Sequence, residues 1–316
     1  MATFPRIRVD LNAPSPWQPL AEFAGPASRL LDCYLKDLGD TEDWRSIVEL
    51  YRNTLLTPEE ARAVDGIAKA IGRDANDVLL ANLYYDAFRA LIGCTAVAVG
   101  SPDGPLHARN LDWWTEQNLL ASETLITDVV GAPAGPFSTI GWPGLYAVYS
   151  GVAPGRFAIT LNAVVSTESP AIRRSTTLFL REVFATARTY EEAVERLTFE
   201  PIAADCLLLV TGVEKGQRVV IERTSTRAEL RDNDFGPLVV TNDYRAMEDV
   251  GASDAGELHA SACGRFDRAT YLASIAEPTP EALFDVLRDR KVKMDITVQQ
   301  MVLCARTGRI DVRRVG

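Results

Sequence analysis

A cysteine attacks only as its thiolate, so a candidate nucleophile is judged by the base and the positive charge that its neighbours supply. Cys94 stands in a Gly93-Cys94-Thr95 step ahead of the β-rich run "CTAVAVG", and Arg109 and Asp112 follow in "HARNLDWW" just past a turn. Three bases are open to it. His107 sits two residues from Arg109, which in a strand puts both on one face; His259 sits in the loop-like "GELHASACG". The third is the residue's own α-amine, which exists only once the Gly93–Cys94 bond is cut. A free α-amine titrates at about 7.7–8, near working pH, so thiol and base would share one residue. Gly93 suits the cut, because without a Cβ it lets the thiol approach the preceding carbonyl. An N→S acyl shift and thioester hydrolysis would then release residues 94–316 with Cys94 at their head.

The elements around this step follow from local signals. Residues 1–30 are dotted with proline and read as extended. Thr57-Pro58-Glu59-Glu60 is a capping box with proline at the first helical position and predicts a helix over 58–71. Asp74 can cap the next, "ANDVLLANLYYDAFRAL", apolar on more than one side and ending just before Gly93. From Cys94 the texture turns to strands: "CTAVAVG" and "LHARNLDWW" as a hairpin across "SPDGP", then about 123–130, 145–151 and 156–163. A hairpin centred on Asp103 sets Asp112 opposite Cys94 and Arg109 opposite Val97. Residues 109 and 112 then point to opposite faces, so both reach Cys94 only through a bulge or strong twist. Two helices follow, "STTLFLREVFATAR" and, behind the Thr189 capping box, "EEAVERL". Strands resume in "DCLLLVTG", "QRVVIERT", "AELRD" and "PLVVTND"; Thr279-Pro280-Glu281 opens another helix, and "ITVQQMVLCAR" closes the chain as a strand. This order predicts an α+β layered domain of two antiparallel sheets with helices outside, beginning at Cys94, and a separable, mostly helical segment over 1–93.

Composition narrows the function. With 47% apolar and 24% charged residues the chain supports a large core, and a net charge of −10 argues against a phosphate-backbone partner. Five widely spaced cysteines with no CxxC pair form neither a disulfide framework nor a zinc spacing, so no metal or cofactor is expected, and a reducing, cytoplasmic location is. The start lacks the apolar stretch of a secretory signal, and runs such as "CLLLV" fall far short of the roughly 20 residues of a membrane helix.

"CTAVAV…DGPLHARNLDWW" resembles the start of the mature chain in the choloylglycine hydrolase superfamily of N-terminal nucleophile amidases. The likeness continues in order through "GRFAITLNAV", "YEEAVERLTFEPIAADCLLLVTG", "VVIERT", "LVVTNDY" and "GRFDRATYL". "FPRIRVDLN" and "LLANLYYDAFRALIGCT" resemble the smaller subunit and cleavage junction of the acid ceramidase and N-acylethanolamine acid amidase branch, and the 93-residue leader favours that side over the bile-salt hydrolases. The resemblance implies a four-layer αββα sandwich, autocleavage between Gly93 and Cys94, and Cys94 as nucleophile with its amine as base. It implies Arg109 and Asp112 flanking it, Asn162 and Asn242 at the oxyanion site, and Arg265 tying the carboxylate network together, with Arg268 an equal contender. Where that branch tends to carry an acidic residue after the position of Asn162, this chain has Ala163. The activity implied is hydrolysis of a linear N-acyl amide through a thioacyl-enzyme, with possible contact to lipid surfaces and the cut chains staying together. An acyltransferase on the same scaffold, a bile-salt or penicillin V acylase type of hydrolase and an uncut binding protein are the alternatives.

Overall fold

The computed structural model describes residues 4–39, 41–88, 92–168, 172–233, 235–251 and 260–315; His259, weighed above as a base, lies outside the described residues. The chain opens with strand β1 (Arg6–Asp10), a 3-10 helix (Gln18–Phe23) and helices α1 (Ala24–Leu38), α2 (Thr41–Thr54), α3 (Pro58–Ile71), α4 (Ala75–Asn82) and α5 (Tyr84–Phe88). It continues through β2 (Ile92–Val99), β3 (Leu106–Trp113), α6 (Leu119–Ser122), β4 (Leu125–Val130), β5 (Phe137–Gly141), β6 (Ser150–Ala153) and β7 (Phe157–Ala163). Helices α7 (Thr176–Thr186) and α8 (Tyr190–Phe199) precede β8 (Cys206–Thr211), β9 (Arg218–Arg223), β10 (Ala228–Arg231) and β11 (Leu238–Val240). Helices α9 (Ala262–Ile275) and α10 (Pro280–Arg288) lead to β12 (Thr297–Cys304) and β13 (Arg309–Arg313).

Two sheets carry the fold, one of eight strands in the order β1-β4-β5-β6-β7-β8-β9-β10 and one of five in the order β11-β2-β3-β12-β13. Between them pack Ile126, Ile140, Val152 and Ala158 against Met301 and Leu303, and Leu207, Leu209 and Val220 against Ala96 and Ala98. Outside the larger sheet α7 and α8 bury Phe179, Val183, Phe184 and Leu197; outside the smaller, α9 and α10 bury Ala269, Ala273, Leu283 and Phe284 on Val97, Ala108 and Val302. The result is the expected αββα sandwich, with every position of β2, β3, β7 and β12 buried because both sheet faces are covered.

Several local expectations change. The capping box of α3 forms in both directions, and Gly72 closes the helix at φ 70°. The long helix read after Asp74 breaks at Leu83. Tyr84 then packs on Tyr34 and Trp113, while Tyr85 packs on Tyr149 and its hydroxyl donates to the Asp205 carbonyl, so burying both rings wins over continuing one helix. Residues 1–30 are not simply extended: α1 begins at Ala24, with Pro26 in its first turn, where a missing N–H costs nothing. The strand read at 145–151 starts at Ser150, and β5, β13 and α9 were not anticipated. Nor is the larger sheet wholly antiparallel, since β1 pairs β4 in parallel. That pairing needs a crossover, and the helices of the first 88 residues lie within it.

The amino-terminal segment is built into this body. Beyond β1, helices α1, α3 and α4 share a core with Leu125, Tyr146, Ala147 and Leu178. Buried Asn82 is the polar rivet of that contact: its Oδ1 accepts the backbone N–H groups of Tyr146 (2.7 Å) and Ala147 (2.9 Å), and its Nδ2 donates to the carbonyls of Val78 and Gly144. Asn82→Ala strands those groups in an apolar seam and is expected to cost about 2–3 kcal/mol. The check is a urea titration, with the midpoint lowered and the slope unchanged.

Candidate active site

The β2–β3 hairpin sets the site. Its turn is Ser101-Pro102-Asp103-Gly104, with the Gly104 N–H on the Ser101 carbonyl and Gly104 at φ 94°, a conformation suited to glycine. The pivot therefore falls between Pro102 and Asp103, not on Asp103. Every pair moves by one: Cys94 faces Leu111, Gly93 faces Asp112 and Ala96 faces Arg109. The Gly93–Cys94 bond lies inside strand β2. The objection raised by the pleat is real, and it is answered without a bulge between β2 and β3. Cys94 and Arg109 point into the gap between the sheets, while Asp112 and Thr95 point toward α9 and α10, so the charged groups reach residue 94 from two sides.

On the inter-sheet side, Arg109 Nη2 lies 3.0 Å from Cys94 Sγ. The guanidinium has no exposure and is held by acceptors on the opposing sheet: the Tyr149 carbonyl at 2.7 Å, the Ser150 hydroxyl and the Leu161 carbonyl. It is thus a desolvated cation aimed at sulfur. The thiol is itself fully buried, and burial pushes its pKa up; the Arg109 charge opposes that and the Asp112 charge adds to it.

On the other side, the Cys94 N–H donates to Asn242 Oδ1 at 3.0 Å. That oxygen also accepts from Arg265 Nη2 at 2.8 Å, while Arg265 Nη1 donates to the Cys94 carbonyl at 2.6 Å and to the Thr95 hydroxyl at 2.9 Å. Asn242 Nδ2 donates to the Ala163 carbonyl (2.8 Å) and reaches the Ile92 carbonyl (3.4 Å). Asp112 accepts from the Thr297 hydroxyl at 2.5 Å through Oδ1; its buried Oδ2 has no hydrogen-bond partner among the described residues. Burial raises the pKa of Asp112, with Arg265 the chief opposing charge. Burial lowers the pKa of Arg265, and Asp112 is first among the charges opposing that.

Of the residues singled out from sequence, Cys94, Arg109, Asp112, Asn242 and Arg265 converge. Asn162 lies beside this group: its amide nitrogen donates to the carbonyls of Val240 (3.1 Å) and Thr241 (3.0 Å), fastening β7 to the end of β11 just before Asn242, and its buried Oδ1 has no hydrogen-bond partner among the described residues. Arg268, one turn beyond Arg265 on α9, instead pairs with Asp289 at 2.6 Å near the surface. His107 shares the Arg109 face but bridges the sheets through the hydroxyls of Thr160 (2.8 Å) and Thr211 (3.2 Å). Thr297, Ser150 and the carbonyls of Tyr149 and Leu161 escaped sequence reading. Their only signal was a polar residue inside an apolar strand, or none at all for a carbonyl. A cavity of about 650 Å³ opens elsewhere, against the outer side of α7, lined by Trp17, Tyr146 and Arg181. Among the described residues no group of three His, Cys, Asp or Glu could hold a metal ion, and no helix is long and apolar enough to cross a membrane.

Comparison with known proteins gives this geometry its context. The chain is 29% identical over 188 residues to an N-acylethanolamine-hydrolyzing acid amidase of Caenorhabditis elegans, a stretch covering 53% of this chain and 51% of the relative. It is 25% identical over 248 residues to an acid ceramidase of Balaenoptera acutorostrata scammoni, covering 69% and 62%. The chain thus spans about half to under two thirds of the length of these curated relatives. A solved structure of the Caenorhabditis elegans N-acylethanolamine-hydrolyzing acid amidase ortholog superposes with a TM-score of 0.56 at 22% identity, over 71% of this chain and all of that one, and shares the fold. No protein-family model matches the chain.

The inter-sheet histidine yields a stability test. Burial, with Arg109 adding to it, lowers the pKa of His107 from 6.5 to about 3. Between those values the unfolded chain binds a proton that the folded chain refuses, so stability is lost as pH falls through that window and regained as it rises. His107→Asn is expected to flatten this dependence. Thermal melts of both proteins from pH 7 to 4 check it: the melting temperature of the variant should fall less steeply, whatever its value at pH 7.

Proposed function

This chain is a relative of the N-acylethanolamine-hydrolyzing acid amidases and acid ceramidases and has the fold of the N-terminal nucleophile amidases; from that premise we propose that it is an autoprocessed cysteine amidohydrolase acting on a linear N-acyl amide. The observation that carries the reading is convergence on one residue. A guanidinium meets the thiol of Cys94 at 3.0 Å, while Asn242, backed by Arg265, meets the backbone nitrogen of the same residue at 3.0 Å.

In the first step Cys94 Sγ attacks the Gly93 carbonyl carbon, the C–N bond to Cys94 breaks, and the nitrogen keeps the proton the thiol gives up. Water hydrolyses the resulting thioester, leaving a Gly93 carboxylate, a Cys94 thiol and a free α-amine. In this reading Asp112 holds that amine, supported by its position directly across from Gly93 and by an Oδ2 with no hydrogen-bond partner among the described residues. The cut also takes away Ile92, whose carbonyl faces Asn242 Nδ2, so that donor becomes available to an incoming acyl oxygen. A backbone N–H near Asn162 is the second donor in this scheme.

In turnover the amine takes the thiol proton and the thiolate, favoured by Arg109, attacks the acyl carbon. The tetrahedral anion collapses as the leaving nitrogen accepts a proton, and water frees the acid from the thioacyl-enzyme. An apolar acyl group suits the surroundings. Trp113 follows Leu111 on the thiol's face and packs with Tyr34, Tyr84, Trp142 and Tyr149, three of the five rings from residues after the cut. Residues 1–93 and 94–316 would stay together after cleavage, joined by the β1–β4 ladder, Asn82, the Arg174–Glu60 ion pair at 2.8 Å and the Ser175 N–H on the Tyr51 hydroxyl. None of the five cysteines is in a disulfide and Cys263 is exposed, which supports a reducing cytoplasm as the location.

Intact-mass analysis tests the cut. Wild type should appear as residues 1–93 and 94–316, Cys94→Ala as one chain; an active wild type that remains uncut overturns the mechanism. Arg109→Gln removes the cation that opposes burial of the thiol, so iodoacetamide labelling of Cys94 should shift to higher pH and turnover of N-acyl amides should fall by about tenfold or more.

A further inference from the structure

Asn242 sits in an irregular stretch between β11 and the 3-10 turn Glu248–Val250, and such a stretch has no ladder to hold it. It is held all the same: Asn162 donates to the carbonyls of Val240 and Thr241 just before it, and one carboxylate reaches the chain on both sides of it. Glu222, on β9, has no exposure and shares the inter-sheet face with Val220. Its Oε2 accepts three successive backbone N–H groups, from Arg245 (2.9 Å), Ala246 (2.8 Å) and Met247 (3.2 Å). Three amides converging on one anionic oxygen form an anion nest, and hydrogen bonds to a charged acceptor are the strong kind. Its Oε1 takes Arg231 Nε at 3.2 Å, and Arg231 Nη2 donates to the Val239 carbonyl at 2.9 Å. One carboxylate therefore grips the chain on both sides of Asn242, directly at 245–247 and through Arg231 at 239. The next residue of β9 adds to it, the Arg223 carbonyl accepting the Tyr244 hydroxyl at 2.8 Å. The guanidiniums of Arg231 and Arg245 also lie 5.8 and 4.0 Å from the ring centroid of Phe266, the residue after Arg265 on α9.

We propose that Glu222 is the positioning residue of this site: it fixes Asn242, and through it the nitrogen of Cys94. It touches no reacting atom. The inference rests on the function proposed above only for its kinetic readout. Glutamine at 222 keeps the shape but has one accepting oxygen, so it serves either the amide nest or Arg231 and turns an NH2 toward donors on the other side. Aspartate keeps the charge on a shorter arm.

The experiment follows appearance of the 94–316 chain after refolding, at a temperature where circular dichroism shows each variant folded. Glu222→Gln is expected to slow the cut by about tenfold, and Glu222→Asp to recover part of the rate. With Asn242→Ala already present, Glu222→Gln should slow it no further, because the group being positioned is gone. A wild-type rate for Glu222→Gln overturns the inference, and so does equal slowing in both backgrounds, which is the mark of general loosening. If wild type itself is never cut, the proposed function fails, and positioning is read from the Asn242 side-chain amide by NMR. That resonance should move in Glu222→Gln and return toward wild type in Glu222→Asp; an unmoved signal overturns the claim.

Discussion

A guanidinium held without water between two sheets is the constraint from which the rest of this site follows. Arg109 is carried by β3 of the smaller sheet, but apart from the sulfur its acceptors, the carbonyls of Tyr149 and Leu161 and the hydroxyl of Ser150, belong to the larger one. Burying a charge is costly unless its donors are satisfied, so the two sheets must meet in one register for the cation to be tolerated. Meeting in that register sets Arg109 against Cys94 Sγ. The same low-polarity gap raises the pKa of the thiol and drives His107 to its neutral form. One act of desolvation therefore joins the two sheets at the site and opposes ionisation of the thiol there.

The second constraint is the pleat of β2. A side chain and the backbone of one residue are approached from different directions, and the fold uses both. The thiol looks into the gap, while the backbone of Cys94 is met by Asn242 and by Arg265 from α9. Asp112 points to the helix side, and its place across from Gly93 sets it beside the Gly93–Cys94 bond, while its charge still bears on the thiol. The departure at Ala163 fits this pattern, since Asn242 takes the backbone carbonyl of that residue as its acceptor and needs no side chain there.

The amino-terminal segment is a structural member of the body. It contributes an edge strand to the larger sheet and two of the rings, Tyr34 and Tyr84, that pack with Trp113 beside the thiol. Its polar seam with the rest of the molecule, at Asn82, Tyr51 and the Glu60–Arg174 pair, is buried or half-buried.

Much of this was legible in the chain itself. The capping boxes at Thr57 and Thr189, the cap at Asp74 and the β-rich runs of β2, β3 and β7–β9 depend on neighbours a few residues apart, so local chemistry determined them. Arg109 and Asp112 stood out as charged residues in a strand-like run, whereas Asn242 was picked out only by resemblance. The hairpin register was missed by one because it turns on a single dihedral choice at Gly104. Arg265 could not be told from Arg268, because which face of a helix meets the site is decided by packing between elements far apart in sequence. Thr297 and the carbonyls that hold Arg109 were invisible for the same reason: an acceptor on another sheet has no signature until two sheets close on it, and only the tertiary structure brings them together.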